Sequence, residues 1–510
     1  MTIHSQSGRE LELKLAIPDG TMDTILRPVA PQALSTQPPR KRREVTTYFD
    51  TQDRALAQRG VSLRVRCTEG KNVQTLKADH RDGVAADRAE WEWRTDHGQP
   101  DLALLRQTGI ANDLPSTIEL EQILTTDINR TRSILELRDG TVVEAVLDEG
   151  IIIAGDRRET VRELELELRK GDPASIYRLA LAMHASAPLT IVHESKAARG
   201  YRLRSGGVSG ARKAAHIVLT PEQSAAEAFG RIVASSLGHL LTNRTAALSG
   251  DAEGVHQMRV AIRRLRAALA LFKPHIEPNA TSRFEAELRR IGQIFGEARD
   301  WDVFCLQLLP NALAAGDAAE WWNFLEPPAT ARREAAHRRV AHEIHAPEFT
   351  SLAIGLAAWA EQGRAGCHLL GDANMARPIE ELCPKLLSRL EHKVERRGPH
   401  IERRSDIQRH ALRKALKKLR YGIDFVAAVY PRKSVRSYLR ACKKLQQVLG
   451  DINDAVAGTA LANRLAEDSR PDLAPAVGAL ATLLERQRAE AVRRLPKRWQ
   501  AFSAQPHFWT

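Results

Sequence analysis

The sequence lacks several features that mark common protein classes. Its five cysteines are scattered and form no Cys-x-x-Cys pair, which argues against a disulfide framework or a zinc site and predicts reduced thiols. No apolar run approaches the roughly 20 residues that span a bilayer, and the polar start Met1–Ser5 does not resemble a signal peptide. There is no Gly-rich phosphate loop and no evident Ser-His-Asp or Cys-His set. We therefore expect a cytoplasmic protein without a membrane partner.

The charge of the chain is distributed unevenly between its two parts. A length of 510 residues, with 43% apolar and 27% charged residues, is typical of a globular protein of two or three domains. The net charge is +13, yet residues 1–210 hold 30 Lys and Arg against 31 Asp and Glu, so the basic excess follows residue 210. The partner expected for that part is a polyanion: nucleic acid, anionic lipid or polyphosphate.

Charged and apolar residues alternate with period two in the first part of the chain. The alternating segments are Glu10–Lys14, Leu63–Arg66, Glu90–Arg94, Arg130–Arg132 and Glu163–Leu168. In a β-strand this pattern places the charges on one face and the apolar side chains on the other. Carboxylates that share a face repel each other unless cations lie opposite, and the other strands supply Lys and Arg. The pattern predicts a barrel with a charged lumen; the alternative is an ordinary sheet with a solvated charged face.

The predicted lumen carries both signs of charge. Arg and Lys neutralise phosphate oxygens, whereas clustered carboxylates hold Mg²⁺ or Mn²⁺, so the combination suits a polyanionic ligand that carries hard cations. The alternative for each residue is a salt bridge that only closes the barrel. The expected inward carboxylates are Glu10, Glu12, Glu90, Glu92, Asp148, Glu163, Glu165 and Glu167, and the expected inward cations are Lys14, Arg64, Arg66, Lys77, Arg94, Arg130, Arg132 and Lys196.

These segments resemble the CYTH family, also called the triphosphate tunnel metalloenzymes. The resemblance covers residues 8–204 and includes Tyr48–Thr51 and Ser195–Tyr201 besides the alternating strands. It implies an eight-stranded antiparallel tunnel with flanking helices, which hydrolyses triphosphates or cyclises ATP with two divalent ions, Mg²⁺ or Mn²⁺. The implied metal ligands are Glu10, Glu12, Asp148, Glu163, Glu165 and Glu167, and the implied triphosphate clamps are Lys14, Arg64, Arg66, Lys77, Arg130, Arg132 and Lys196.

An internal repeat marks the second part of the chain. Beyond a Ser- and Gly-rich boundary at 205–210, strand signals end and helical periodicity begins. The segment Val255–Arg266 recurs as Arg409–Arg420, an offset of 154 residues, and the same offset relates Asp300 to Asp454. The offset stays constant from residue 256 to residue 300, without an insertion or deletion, which predicts two copies of one helical hairpin.

The repeated helices carry a cationic stripe. His256, Arg259, Arg263 and Arg266 are spaced by three and four residues, so they share one helix face. Like charges at i, i+4 destabilise a helix by a few tenths of a kcal/mol per pair, so their repetition indicates a stripe held for an anion. The alternative is a solvated helix whose arginines pair with acids such as Asp300. Aromatic residues do not interleave with the stripe as in single-strand nucleic-acid binders, so nucleic acid is not the expected partner.

This second part resembles the CHAD domain, and the order of the two parts resembles that of bacterial inorganic triphosphatases. The resemblance implies an all-α bundle with a two-fold repeat that binds inorganic polyphosphate, behind an enzyme that cuts tripolyphosphate to pyrophosphate and phosphate. The expected class is an α+β multidomain protein with domains at 1–204 and 220–505 and a linker at 205–219. The alternatives are a non-catalytic polyphosphate-binding protein, or a nucleoside or thiamine triphosphatase or adenylate cyclase with the same tunnel. The implied polyphosphate-binding set is His256, Arg259, Arg263, Arg264, Arg266, Arg289, Arg290, His410, Arg413, Lys414, Lys417, Lys418, Arg420, Lys443 and Lys444.

Overall fold

The chain folds into two compact units. The first is Met1–Gly210 with His345–Glu361, and the second is Ala211–Ile344 with Gln362–Thr510. The sequence placed residues 345–361 in the helical domain, whereas the structure assigns them to the first unit. The computed structural model describes residues 4–5, 11–22, 24–26, 33–36, 38–80, 87–108, 119–207, 210–314, 319–364, 372–467 and 473–509.

Two expectations drawn from composition can be compared with the described residues. None of the helices in these ranges is both long and apolar enough to cross a membrane. The cysteines in these ranges are free, as predicted, and Cys367 lies outside them; the free ones are Cys67, Cys305, Cys383 and Cys442.

In its described residues, the first unit is built on a single sheet of eleven strands. In chain order these are β1 (His4–Ser5), β2 (Glu12–Ala16), β3 (Ala33–Thr36), β4 (Arg40–Asp50), β5 (Val61–Thr68), β6 (Lys71–His80), β7 (Asp87–Thr95), β8 (Glu121–Leu137), β9 (Val142–Ala154), β10 (Arg157–Lys170) and β11 (Thr190–Ile191). Their order in the sheet is β1-β7-β6-β5-β4-β8-β9-β10-β2-β11, and β3 pairs with β8 beside this path. Within the described ranges no ladder joins β1 to β11. The sequence predicted eight strands; β1, β3 and β11 are short additions of two to four residues.

Strand register brings charges of opposite sign next to each other. All the ladders are antiparallel. Glu165 of β10 lies opposite Lys14 of β2, and Asp148 of β9 lies opposite Arg130 of β8. Residues directly opposite in an antiparallel ladder have Cβ atoms about 4.5–5.5 Å apart on the same face. The alternation read from the sequence therefore becomes a face on which acids and bases are adjacent.

The other face of the sheet is apolar and buried. Leu13, Leu164 and Leu166 have no exposed surface, and full burial of such a side chain contributes about 1.5–3 kcal/mol. Helix α3 packs beside β10 and begins as the sequence predicts, with the Asp172 carboxylate accepting a hydrogen bond from the Ala174 N–H. The first helices of the unit are α1 (Ala55–Gln58), α2 (Leu102–Arg106) and α3 (Pro173–Ser186).

Helix α4 (Lys196–Ser205) was not predicted from the sequence, and it packs against β8, β9 and β10. Ser195 caps its N-terminus, because the Ser195 hydroxyl accepts a hydrogen bond from the Ala198 N–H at 3.2 Å. A Cβ atom on Gly200 would lie only 2.3 Å from a methyl carbon of Leu124, so glycine permits the close contact between helix and sheet. The Ser195–Tyr201 motif therefore fixes the position of Lys196.

We expect Asp50→Ala to lower the free energy of unfolding of the first unit by about 3 kcal/mol. The buried Asp50 carboxylate accepts hydrogen bonds from Leu56 N (2.9 Å), Ala57 N (3.0 Å) and Tyr201 Oη (2.6 Å), and it thereby joins β4 to α1 and α4. The substitution leaves these donors without an acceptor. Tyr201→Phe removes one of the bonds and should destabilise by about 1 kcal/mol. Urea unfolding followed by circular dichroism measures both; equal losses would contradict this role of Asp50.

The described part of the second unit is helical. Ser224 and Ser405 each form a capping box, with Glu227 and Gln408 respectively, at the starts of α5 and α13. The helices that follow α4 are α5 (Ala225–Thr242), α6 (Arg244–Leu248), α7 (Ala252–Phe272), α8 (Pro278–Val303), α9 (Leu309–Ala314), α10 (Ala319–His345), α11 (Pro347–Arg364), α12 (Ile379–Glu395), α13 (Asp406–Val426), α14 (Arg432–Glu467) and α15 (Ala474–Ser503), of which α11 belongs mainly to the first unit.

Two helix pairs keep the residue offset of the sequence repeat. Helices α7 and α13 each have 21 residues, and their first residues, Ala252 and Asp406, are 154 positions apart. Helices α8 and α14 start at Pro278 and Arg432, which have the same separation. Each helix of the first pair buries an apolar side and leaves a cationic side, as the sequence predicts.

Candidate functional site

The charged face of the sheet curves around a cavity of about 380 Å³. Strand β2 and each of the strands β4 to β10 contribute lining residues, so the charged side chains of this face meet in a common space. The volume lies within the roughly 300–1,000 Å³ typical of ligand sites. The charged lining residues are Glu12, Lys14, Arg64, Arg66, Lys77, Glu90, Glu92, Arg130, Arg132, Glu144, Glu165, Glu167, Arg169 and Lys196.

Lys196, at the first position of α4, is the centre of the acidic wall of this cavity. Its Nζ atom lies 2.8–2.9 Å from carboxylate oxygens of Asp148, Glu163 and Glu165. Burial lowers the pKa of Lys196, but these carboxylates outweigh burial and hold the pKa well above its ordinary value. The ammonium group therefore remains charged at neutral pH.

Arg130 and Lys14 complete the charge network of the acidic wall. Arg130 donates from Nε and Nη2 to the two oxygens of Asp148 at 2.7 and 2.5 Å, and from Nη2 to Glu165 at 3.1 Å. Lys14 pairs with Glu165 and, at 2.9 Å, with Glu12. Burial raises the pKa of Glu165, but its three cationic neighbours outweigh burial and hold the pKa well below its ordinary value. The Glu165 carboxyl group is therefore ionised.

The part of the lining contributed by β5, β6 and β7, here called the cationic wall, has a cationic excess. Lys77 Nζ lies 2.7 Å from Glu90, which also receives Arg64 at 3.6 Å, and Arg66 lies 3.3 Å from Glu92. Burial raises the pKa of Glu90, but Lys77 and Arg64 outweigh burial, so the pKa is lowered. Negative ligand atoms between the two walls would meet cations from several strands.

The carboxylates of the acidic wall fit a divalent cation by their chemistry. Oxygen donors are the ligands that Mg²⁺ and Mn²⁺ prefer, and Asp148, Glu163 and Glu165 already converge on one positively charged atom. A divalent ion there would compete with the Lys196 ammonium for the same oxygens. Among the described residues, one group of three potential ligands has all its donor atoms within 4.8 Å of one another, and it lies in the second unit: Glu391, Glu395 and His507.

The structure brings most of the predicted tunnel residues together. The predicted clamps all line the cavity: Lys14, Arg64, Arg66, Lys77, Arg130, Arg132 and Lys196. Of the predicted metal ligands, Glu12, Glu165 and Glu167 line it, and Asp148 and Glu163 are buried next to Lys196. Glu10 lies outside the described residues. Of the remaining inward predictions, Glu90 and Glu92 line this cavity, and Arg94 lines a second cavity of the same unit.

Sequence reasoning missed several charged residues of this site. Glu144 lines the cavity and pairs with Arg169. Its position four residues before Asp148 could have revealed it, because residues four apart in a strand share a face. Arg199 of α4 pairs with Glu163, and no strand pattern could identify it because it lies on a helix.

The second unit contains a basic cavity of about 500 Å³, here called the groove. Residues of α7, α8, α13 and α14 line it, together with Lys213 before α5. Its acids are Asp300, Asp424 and Asp454. Its basic residues are Lys213, His256, Arg259, Arg263, Arg264, Arg299, Arg413, Lys417 and Arg420.

The cations of the groove are crowded and lack sufficient counter-charge. Burial, together with Arg263 and Arg413, lowers the pKa of Lys417 to about 6. Burial also lowers the pKa of His256 to about 4. The buried Nε atoms of Arg263, Arg264, Arg413 and Arg420 have no hydrogen-bond partner among the described residues. Buried donors of this kind normally have an acceptor, so the groove suits a ligand rich in anionic oxygens.

The groove contains part of the predicted polyphosphate-binding set. The members that line it are His256, Arg259, Arg263, Arg264, Arg413, Lys417 and Arg420, and those outside its lining are Arg266, Arg289, Arg290, His410, Lys414, Lys418, Lys443 and Lys444.

Two local contacts explain part of this division of the predicted set. Arg290 is held by Glu343 at 2.5–2.7 Å, and His410 Nδ1 lies 2.7 Å from Asn453. The alternative interpretation was that arginines of the stripe pair with acids such as Asp300. It applies to Arg259, whose Nη1 atom lies 3.2 Å from the Asp300 carboxylate.

The repeat pattern could not reveal every basic residue of the groove. Arg299 lines it, but the equivalent position in the second copy is Asn453, which carries no charge. Lys213 lies before the first repeat, so the repeat gives no signal for it.

Two family models match the chain, the CYTH domain over residues 8–201 and the CHAD domain over residues 231–463. An inorganic triphosphatase from Haemophilus influenzae is 31% identical over 162 residues, which are 31% of this chain and 45% of that protein, so the chain spans less than half of this relative. The CHAD domain from the plant Ricinus communis is 28% identical with a TM-score of 0.52, over 58% of this chain and 98% of its own. A candidate adenylyl cyclase from Hippeastrum with a dominant triphosphatase activity is 21% identical with a TM-score of 0.29, over 39% of this chain and 97% of its own.

Proposed function

This chain contains a CYTH domain followed by a CHAD domain, and on that premise we propose that it is a divalent-metal-dependent inorganic triphosphatase. Its proposed substrate is tripolyphosphate, which it cuts to pyrophosphate and phosphate. The observation that supports this proposal most strongly is the cavity of the first unit, in which Lys and Arg from several strands face ionised carboxylates. The similarity to an inorganic triphosphatase gives independent support for this class of reaction.

We further propose that strands β2 and β4 to β10 form the wall of a tunnel. Each of them contributes to the lining of one cavity, which a flat sheet cannot achieve. Outside this wall, the leucine face is buried. Helix α4 then supplies Lys196 to the lumen from beyond the strands.

The mechanism assigns separate roles to the two walls. Arg64, Arg66, Lys77 and Arg132 bind the phosphate oxygens of the substrate and stabilise the charge that develops on the leaving oxygen. Lys196 leaves its carboxylates for a phosphate oxygen when substrate enters. Those carboxylates would hold the divalent ions, which supply Lewis acidity toward phosphate oxygens and attacking water.

For the second unit we propose a polyphosphate-binding site in the groove. Crowded cations with unsatisfied donors would be neutralised by a chain of phosphates, which offers a negative charge at every step. We also propose that the unit arose as two copies of one helical hairpin, because α7 with α8 and α13 with α14 keep the 154-residue offset in their first residues.

Initial rates on different substrates test the proposed activity. Tyr48 is the single aromatic residue lining the described first cavity, which offers little surface for stacking a nucleotide base. We therefore expect phosphate release from tripolyphosphate with Mg²⁺ or Mn²⁺ to exceed that from ATP. Faster release from ATP would favour the nucleotide alternatives, and no release from any substrate would leave a non-catalytic binding protein.

We expect the affinity for long-chain polyphosphate to increase as the pH falls toward 6. With a pKa of about 6, Lys417 is largely neutral above neutral pH in the free groove. A bound polyanion favours the charged form and raises this pKa, so binding takes up a proton and strengthens by at most about tenfold per pH unit. Below the pKa of Lys417 in the free groove, this residue is already charged, so the affinity changes little with a further fall in pH. Calorimetric titration at several pH values measures it, and Lys417→Met should flatten the dependence; an unchanged dependence in this variant would exclude Lys417 as its source.

A further inference from the structure

A second cavity of the first unit, of about 670 Å³, adjoins the first one. Arg66, Arg130 and Arg132 line both cavities, so the two spaces meet at these arginines. Along β4 the chain passes from Tyr48, in the first cavity, to Arg42, in the second. We call this second space the vestibule; beyond the three shared arginines its cations are Arg40, Arg42, Lys71 and Arg94.

Cations outnumber acids in the vestibule. Its lining includes seven Lys or Arg residues against Glu44, Glu69 and Asp96. Arg42 lies 3.6 Å from Glu69, and both side chains are more than half exposed, so this pair contributes little. In the ranges that the structure describes, Arg40 and Lys71 form no salt bridge. The acids of the vestibule therefore compensate only part of its positive charge.

The register of β4 and β8 places like charges directly opposite each other. Arg40 lies directly opposite Arg132, and Arg42 directly opposite Arg130, on the ladder between β4 and β8. Like charges in directly opposed positions destabilise a sheet. Arg130 is compensated by acids of the first cavity, whereas Arg42 has only its exposed pair with Glu69 and Arg40 forms no salt bridge in the described part of the chain. A bound anion would relieve the repulsion, and the spread of the cations favours one with several charges.

Glu44 links the two cavities. It is buried and lies 3.5–3.7 Å from Arg66, Arg130 and Arg132. The Glu44 carboxylate thereby holds the three shared guanidinium groups between the cavities, and each of these groups lines both spaces. A linear anion that extends from one cavity to the other would meet cations along its whole length.

We propose that the vestibule is a second phosphate-binding site, which holds the further phosphates of a linear polyphosphate whose end occupies the first cavity. This inference rests on the proposed function and extends its substrate class to chains longer than tripolyphosphate. No aromatic residue belongs to the described lining of the vestibule, so a nucleotide base has no stacking surface there. A repeated phosphate chain matches the lining better, because every unit of it carries a negative charge.

The test compares tripolyphosphate with long-chain polyphosphate as substrates of the full chain. We expect Arg42→Ala/Lys71→Ala to raise KM for long-chain polyphosphate by on the order of tenfold, as for the loss of two solvent-exposed ion contacts. The kcat/KM for tripolyphosphate should stay within about twofold, because a short chain does not reach these residues. The matched control is Arg43→Ala: Arg43 is the neighbour of Arg42 on β4, but it points to the other face and pairs with Asp127.

Repeating the comparison in an Arg263→Glu/Lys417→Glu background removes the contribution of the groove. If the wild-type chain releases phosphate from neither substrate, the proposed function itself fails. If it cleaves tripolyphosphate but not the longer chain, or if the vestibule variant changes both substrates equally, the vestibule inference is wrong while the proposed function stands. A selective rise in KM that Arg43→Ala does not reproduce supports the inference.

Discussion

Replacing Glu165 by glutamine is expected to reduce phosphate release from tripolyphosphate by about 10³-fold or more. The carboxylate of Glu165 is buried and meets Lys14, Lys196 and Arg130. An amide of the same size removes a negative charge from this network and an oxygen donor from the wall proposed to hold a divalent ion. Initial rates with Mg²⁺ and Mn²⁺ measure the effect, and circular dichroism verifies that the variant is folded.

A matched control for Glu165→Gln exists on the neighbouring strand. Glu149 follows Asp148 on β9, points to the opposite face of the sheet and is exposed. Glu149→Gln removes the same charge from the unit without touching the cavity, so its rate should equal that of the wild type. Undiminished phosphate release by the Glu165 variant would remove the cavity from the mechanism.

Reversing two charges in the groove should have the second largest effect. We expect Arg263→Glu/Lys417→Glu to weaken binding of long-chain polyphosphate by at least about 100-fold, because both residues line the groove among other half-buried cations. Turnover of tripolyphosphate should not change, since the proposed catalytic residues all belong to the first unit. Fluorescence titration with labelled polyphosphate measures the affinity.

The control for this pair must change the net charge equally. Lys414 of α13 and Lys444 of α14 are exposed and do not line the groove, so Lys414→Glu/Lys444→Glu serves this purpose. We expect this control to lower the affinity by only a few-fold through long-range electrostatics. An equal loss in both double variants would mean that overall charge, and not the groove, binds the polyanion.

Period-two alternation made most of the charged residues of the first cavity predictable from the sequence. The alternation in Glu163–Leu168 assigns each side chain to a face, and the structure keeps those faces, with Leu164 and Leu166 buried outside the cavity. The same rule places Arg64 and Arg66 on the face that lines the cavity. Period two is a property of the strand backbone itself, so it does not depend on tertiary context.

Contacts made by tertiary packing could not be predicted in the same way. Alternation says nothing of which partners meet, and the position of Lys196 among three carboxylates depends on α4, a helix that the sequence did not reveal. Likewise, the helical stripe includes Arg266, but the groove lining does not, because packing decides which part of a helix face meets a cavity. Single-sequence patterns assign faces of elements; the neighbours of those faces depend on long-range packing.

Phosphorus NMR of tripolyphosphate incubated with the full chain tests whether the first cavity hydrolyses a triphosphate. With Mg²⁺ or Mn²⁺ present, we expect the triphosphate signals to be replaced by equal amounts of pyrophosphate and phosphate, and we expect a chelator to prevent this. Triphosphate signals that persist unchanged with either ion would contradict this expectation.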